Sequence, residues 1–268
     1  MTGTWRPLPP LGAGDFDIVR RMAFDTCGIS LHAGKASLVS SRLERLVRKY
    51  RFETFGAYIR YLAEHKTSQE FSEFIDHLTT NHSGFFREPE HFTFLQQAVL
   101  SGRGKSLRIW SAACATGEEP YTIAMCCAEA RVSASISASD ISRTALNAAM
   151  RGEYETARLA ALPGGWRNRY FDQERSRPDL WRISTSVRSS VRFAIVNLLH
   201  PLVDAGTFDI IFCRNVMIYF EQPTRDLLVG RLVQQLVPGG YLFTGHSETL
   251  LKLPPALSYV QPATYRKS

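Results

Sequence analysis

Several features are scarce or missing in this 268-residue chain, and each removes a class of protein. No uninterrupted apolar run approaches the ~20 residues that span a bilayer, which argues against membrane insertion. Residues 1–14 are rich in Pro and Gly and lack a basic-then-apolar signal pattern, so they read as a flexible leader and the protein as cytoplasmic. Cysteine is sparse. Cys27, Cys114, Cys126, Cys127 and Cys213 are odd in number, match no zinc-ligand spacing and lie mostly in apolar stretches. They predict buried thiols, with neither a disulfide framework nor a metal site. Internal repeats and low-complexity tracts are absent, as is the three-glycine turn that admits a pyrophosphate.

What is present is an ordinary globular composition, 44% hydrophobic and 21% charged, in a chain long enough for one large domain or two modest ones. The charge is uneven. Net charge is +7, and between Arg20 and Arg60 nine Lys and Arg face only Asp25, Glu44 and Glu53. Within 41–50, Leu43, Leu46, Val47 and Tyr50 fall at helical spacing, with Arg42, Arg45, Arg48 and Lys49 between them. Such a helix has either a solvated face or a docking surface for an acidic partner. No interleaved aromatic pattern favours nucleic acid.

Residues 15 to about 100 carry helical periodicity, with Asp15 and Thr54 as expected N-caps and a core face of Phe71, Phe74, Ile75 and Leu78. From Leu107 short apolar runs alternate with helical stretches. Strands are expected at 107–112, 135–139, 191–196, 208–212 and 241–245, helices at 119–131, 142–150 and 223–236, and late antiparallel strands between 259 and 266. That alternation predicts an α/β fold with a parallel sheet. Residues 157–190 break the rhythm and predict a small inserted subdomain, since structureless loops of that length are uncommon.

In such a sheet ligands gather at the carboxyl ends of the strands. The strand at 208–212 ends in Cys213-Arg214-Asn215-Val216-Met217-Ile218-Tyr219-Phe220. The first strand ends in Ser111-Ala112-Ala113-Cys114-Ala115-Thr116-Gly117-Glu118-Glu119-Pro120, whose small residues admit a ligand close to the backbone. Glu118 at the helix start either complements the helix dipole or meets a ligand bearing an ammonium and hydroxyls; it would repel a pyrophosphate. Asp140 ends the second strand, where it can accept ribose hydroxyls or cap the next helix. A nucleoside with an amino-acid appendage meets these demands, and S-adenosylmethionine is one. Upstream, Asn81-His82-Ser83-Gly84-Phe85-Phe86-Arg87-Glu88 offers short hydrogen-bonding arms, two aromatic anchors and a planar donor fork on Arg87.

Three of these segments, 81–88, 111–121 and 213–220, in this order and spacing, are similar to those of the chemotaxis receptor glutamate methyltransferases, the CheR type. The resemblance covers roughly residues 15–250. It implies a Rossmann-like class I methyltransferase sheet with a helical N-terminal domain and a small inserted β-subdomain. The domains it implies are 15–86, for receptor docking, and 87–268, for S-adenosylmethionine binding. Carried over by motif, cofactor contacts fall on Asn81, Ser83, Arg87, Glu118, Asp140, Asn197, Leu198, Cys213, Arg214 and Asn215. The catalytic positions near the transferred methyl fall on Arg87 and Tyr219.

The implied reaction moves a methyl group from S-adenosylmethionine to receptor glutamates, giving methyl esters and S-adenosylhomocysteine for sensory adaptation. The implied protein is a monomer whose partner is the cytoplasmic helical bundle of a chemoreceptor. Some members dock a receptor tail peptide with glycines of the β-subdomain; the matching stretch 170–178 has none, which favours direct docking through the basic helices of about 20–60. The alternatives are a methyltransferase of another substrate and a cofactor-binding signalling module without catalysis.

Overall fold

The computed structural model describes residues 8–101, 106–200, 206–250 and 252–268. The first seven positions of the expected leader lie outside the described residues, and Ala13 and Gly14 are already helical. The chain divides into two compact units. One holds the residues up to Thr80 with Tyr219–Glu221; the other holds Asn81–Ile218 and Gln222–Ser268, so the division falls earlier than 86/87.

The first unit is built from α1 (Ala13–Cys27), α2 (Ala36–Lys49), α3 (Phe55–Glu64) and α4 (Gln69–Leu78). Thr54 caps α3 as expected, its hydroxyl accepting the Ala57 N–H at 3.1 Å, and Ser68 caps α4 through Phe71 at 3.1 Å. Asp15 does not cap α1. The helix starts two residues earlier, and Asp15 sits in its first turn, where a carboxylate complements the dipole. The core face of α4 is as expected, with Phe71, Phe74, Ile75 and Leu78 all buried. On α2, Leu43, Leu46 and Val47 are buried, but three of the four cations have partners within the unit. Arg42 donates to the Leu78 carbonyl at 2.7 Å, Arg48 pairs with Glu44 at 2.6 Å and Lys49 with Glu73 at 2.5 Å. Arg45 stays exposed.

The helical reading of 15–100 breaks at residues 79–88, which are irregular and hold Phe86 and Glu88 at positive φ (52° and 57°). The second unit then runs α5 (Pro89–Phe94, prolonged by a π-turn to Leu100), β1 (Leu107–Ala112), α6 (Glu118–Glu129), β2 (Ala134–Asp140), α7 (Arg143–Arg151), β3 (Glu153–Glu155), α8 (Trp166–Tyr170), β4 (Phe171–Gln173), β5 (Leu180–Ile183), α9 (Thr185–Arg188), β6 (Val191–Ile195), β7 (Phe208–Cys213), α10 (Gln222–Gln235), β8 (Leu236–Thr244), β9 (Leu257–Gln261) and β10 (Thr264–Lys267). The large sheet has the order β6-β2-β1-β7-β8-β10-β9. Its first five strands are parallel, and β10 and β9 are antiparallel additions. A separate antiparallel sheet, β3-β5-β4, is the inserted subdomain; it starts at Glu153, earlier than the expected 157, because a three-residue strand carries no readable alternation.

The chain moves outward from β1 through β2 to β6, then returns to build β7 and β8 on the other side. Adjacent strands β1 and β7 therefore send their chains apart, and a crevice opens at their carboxyl ends. The core beneath is aromatic. Phe212 of β7 stacks on Phe243 of β8 (centroids 4.4 Å, planes 4° apart) and on Phe92 of α5 (6.0 Å). Replacing the fully buried Phe212 by Ala should cost about 4 kcal/mol, measured as a lower denaturant midpoint for the sheet unit with unchanged slope.

His91 of α5 is wholly buried, edge-on to Phe243 (5.5 Å) and His246 (4.8 Å); neither ring nitrogen has a hydrogen-bond partner among the described residues, although Nδ1 lies 3.5 Å from a Glu88 oxygen. Burial first, then the nearby Arg214 and His246, push its pKa down to about 4 against the pull of Glu88 and the Pro262 carbonyl. Between that value and the ordinary 6.5, the unfolded chain binds a proton that the folded chain refuses. Stability is therefore lost as pH falls through this window, by up to about 3 kcal/mol. Denaturant titrations from pH 7 down to pH 4.5 should show that loss in the natural chain, and His91→Phe should flatten it; equal pH slopes for the two would exclude His91 as its source.

Candidate functional site

The turn after β1 is the floor of the crevice. Ala113 (φ 60°), Ala115 (φ 47°) and Gly117 (φ 93°) lie in the left-handed region, where small side chains carry the least strain. Gly117 is required. A Cβ there would stand 2.8 Å from the Cβ of Ala149 and 3.1 Å from its Cα. The turn spends its own donors: Cys114 N–H donates to Ser139 O, Gly117 N–H to Cys114 O, and Ala115 N–H to Asp140 Oδ2 at 2.8 Å. A phosphate needs such N–H groups free, so this turn has no place for a pyrophosphate.

Asp140 ends β2 and ties the neighbouring loops together. One oxygen takes Ala115 and the other accepts the Ser142 N–H at 2.9 Å. It does not cap α7; Ser142 does, through Ala145 at 3.1 Å, while its hydroxyl also accepts from the Asn81 amide at 3.3 Å. Asn81 is thus brought to the end of β2. Asn197 follows β6 in the loop beside it, where Val196 N–H donates to the Asp140 carbonyl at 3.1 Å. The Asn197 side chain accepts from Leu199 N–H at 3.0 Å, and Leu198 is buried.

Glu118 opens α6 fully buried. It accepts the Thr116 hydroxyl at 2.7 Å and forms an ion pair with Arg158, which follows β3. The same Arg158 nitrogen also reaches the Ser83 carbonyl at 3.2 Å, so Ser83 and Glu118 share one guanidinium. Tyr154 of β3 adds a bond to the Thr116 carbonyl at 2.8 Å.

The other wall is built around Arg214, whose side chain is 2% exposed. Its guanidinium pairs with Glu119 at 2.9 Å and Glu88 at 3.0 Å, donates to the Arg87 carbonyl and lies over the Phe92 ring at 5.4 Å. The side chain expected to meet a ligand is therefore committed to the protein. Asn215 (φ 57°) donates its amide NH2 to Glu88 at 3.0 Å and its backbone N–H to Glu248 at 2.7 Å. Burial raises the pKa of Glu119 in spite of Arg214. Burial acts upward on Glu88 too, but bonds from Asn215 and Arg214 outweigh it and the net shift is downward. Cys213, at the end of β7, is buried and its thiol is pushed well up by burial.

Arg87 differs from Arg214. Half-buried, it gives one nitrogen to the His82 carbonyl at 2.8 Å, and the rest of its fork has no partner among the described residues. Tyr219 falls in the helical unit, where its carbonyl accepts the Ser30 N–H at 3.0 Å. Shared partners thus link Asn81 with Asp140 through Ser142, Ser83 with Glu118 through Arg158, and Arg214 with Asn215 through Glu88, while Asn197 accepts from Leu199 within its own loop. Sequence reasoning assigned no role to Glu88, Glu119, Arg158, Ser142 or Glu248. Glu248 had a usable signal, since Gly245-His246-Ser247-Glu248 is another abrupt polar strand end.

Acidic side chains, small residues and spent backbone donors fit a nucleoside with a charged amino-acid appendage. Comparison with known proteins agrees. The family described as CheR methyltransferase, all-alpha domain, matches residues 14–79, and CheR methyltransferase, SAM binding domain, matches 81–265. "Chemotaxis protein methyltransferase 2" of Pseudomonas aeruginosa is 41% identical over 246 residues, covering 88% of this chain and 87% of its own. "Chemotaxis protein methyltransferase" of Escherichia coli is 38% identical over 249 residues (91% and 87%), and that of Borreliella burgdorferi 36% over 263 (92% of each). The chain belongs to the CheR methyltransferase family, and its sheet unit is that family's S-adenosylmethionine-binding domain.

Proposed function

We propose that this enzyme methylates glutamate side chains on the cytoplasmic helices of chemoreceptors, forming methyl esters that adapt the sensory response. The observation that carries this reading is the contrast between two arginines. Both terminal nitrogens of Arg214 are held by Glu88 and Glu119, its buried Nε alone lacking a partner among the described residues, whereas Arg87, adjacent in sequence to Glu88, keeps most of its fork for an incoming carboxylate. The names of the relatives, chemotaxis protein methyltransferases, agree with such a substrate.

S-adenosylmethionine supplies a methyl group on a sulfonium, which is a good leaving group. Asp140 would take the ribose hydroxyls and Glu118 the ammonium; Asn81, Ser83, Asn197, Leu198 and the Cys213–Asn215 strand end would complete the pocket. A glutamate is already ionised at neutral pH, so no general base is needed. What remains is alignment of the nucleophile at ~3 Å. Arg87 would orient the carboxylate without binding it so tightly that the ground state is favoured. In the helical unit, Lys35, Arg45, Arg51 and Arg60 are exposed and supply positive charge for acidic receptor helices.

Labelled S-adenosylmethionine with receptor-rich membranes should yield base-labile methyl esters. Base-stable label would indicate another substrate, and binding without transfer a sensor module. Arg87→Ala should lower turnover by about 100-fold while leaving S-adenosylhomocysteine affinity within about threefold. Equal losses would assign Arg87 to cofactor binding alone. Arg45→Glu with Arg51→Glu should raise KM for the receptor by about tenfold at low salt, an effect that shrinks as salt is added. An unchanged KM would exclude docking through this surface.

A further inference from the structure

Glu248 follows β8 and is 3% exposed, yet it faces no cation at ion-pair distance among the described residues. It is surrounded by backbone donors instead. One carboxylate oxygen accepts the N–H groups of Gly245 and Asn215, both at 2.7 Å, and the other accepts Ile218 N–H at 3.1 Å. Two of these three donors belong to the turn after β7, and one to the turn after β8. We propose that Glu248 is a positioning residue for methyl transfer, an internal anion that locks the strand-end turn carrying Asn215.

Two further observations support the lock. Gly245 has no room for a side chain: a Cβ would stand 2.6 Å from the Asn215 amide nitrogen and 2.7 Å from a Glu248 oxygen. Asn215 is held at φ 57°, a conformation that costs a non-glycine residue energy unless its surroundings impose it. Glu248 takes its backbone N–H while Glu88 takes its side-chain NH2, so both ends of Asn215 are fixed by carboxylates. A carboxylate accepts only, which sets the amide orientation and leaves the side-chain oxygen as the acceptor Asn215 can offer a ligand. Removing the charge loses more than one bond. A glutamine in place of Glu248 has one acceptor oxygen, and its NH2 would confront a backbone N–H.

The role in turnover rests on the proposed function; the lock itself can be measured without it. In Glu248→Gln, amide exchange followed by mass spectrometry should quicken in peptides covering 214–218 and 244–248 and stay unchanged elsewhere. Turnover per S-adenosylhomocysteine-binding site should fall by about 30-fold, with that affinity within about fivefold of the natural enzyme. Gly245→Ala wedges the same turn without altering charge and should give the same pattern, which guards against misfolding of the glutamine variant. Turnover per binding site within about threefold of normal in both variants, or faster exchange along the whole chain with loss in proportion to unfolded protein, would overturn the assignment. Lack of transfer to receptors by the natural enzyme would instead overturn the proposed substrate, leaving local exchange to decide the lock.

Discussion

The crevice depends on one buried cation. Arg214 stands at the carboxyl end of β7 between two carboxylates from different elements, Glu88 before α5 and Glu119 in the first turn of α6. Removing charges from water costs several kcal/mol per ion, so such a triad persists only with close geometry and further hydrogen bonds. Those bonds are present: Ser111 donates to Glu119 at 2.7 Å, Asn215 donates to Glu88, and Arg214 donates to the Arg87 carbonyl. The cluster therefore joins the ends of β1 and β7, the start of α6 and the segment bearing Arg87. It sets where the uncommitted arginine sits.

The fold was largely legible because its signals are local. A parallel strand buried on both faces reads as a short apolar run, and 107–112 and 208–213 emerged almost residue for residue. Thr54 and the face of α4 follow from side-chain chemistry within one turn. Asp15 misses the cap because α1 starts two residues earlier, at Ala13. Of the two roles open to Asp140, the cap of α7 falls to Ser142, two positions on, and the carboxylate ties loops. The start of the inserted sheet was missed because its pairing partner, β5, lies some 25 residues away.

The site was legible in position more than in role. Polar residues at strand ends marked the crevice, but whether an arginine faces a ligand or two glutamates depends on contacts across 95 and 126 residues of sequence. Arg158 shows the limit. Nothing in its own segment distinguishes it, and its importance comes from reaching Ser83, Thr116 and Glu118 together. Carboxylates predominate here for a physical reason. Each can accept from several donors, so Asp140, Glu88 and Glu248 each gather segments that no backbone ladder connects.

The placement of β10 carries a consequence for how the molecule is made. This strand enters between β8 and β9, and it supports the loop bearing Glu248: Thr244 N–H donates to the Ala263 carbonyl at 2.9 Å, and the Tyr265 hydroxyl accepts from Leu250 at 3.0 Å. These supports follow every other strand of the sheet in sequence. The helical unit up to Thr80 can complete most of its packing early in synthesis, whereas the loop after β8 must wait until Tyr265 has been made. A chain that stops short of β10 would thus hold a finished helical module and an unfinished sheet edge.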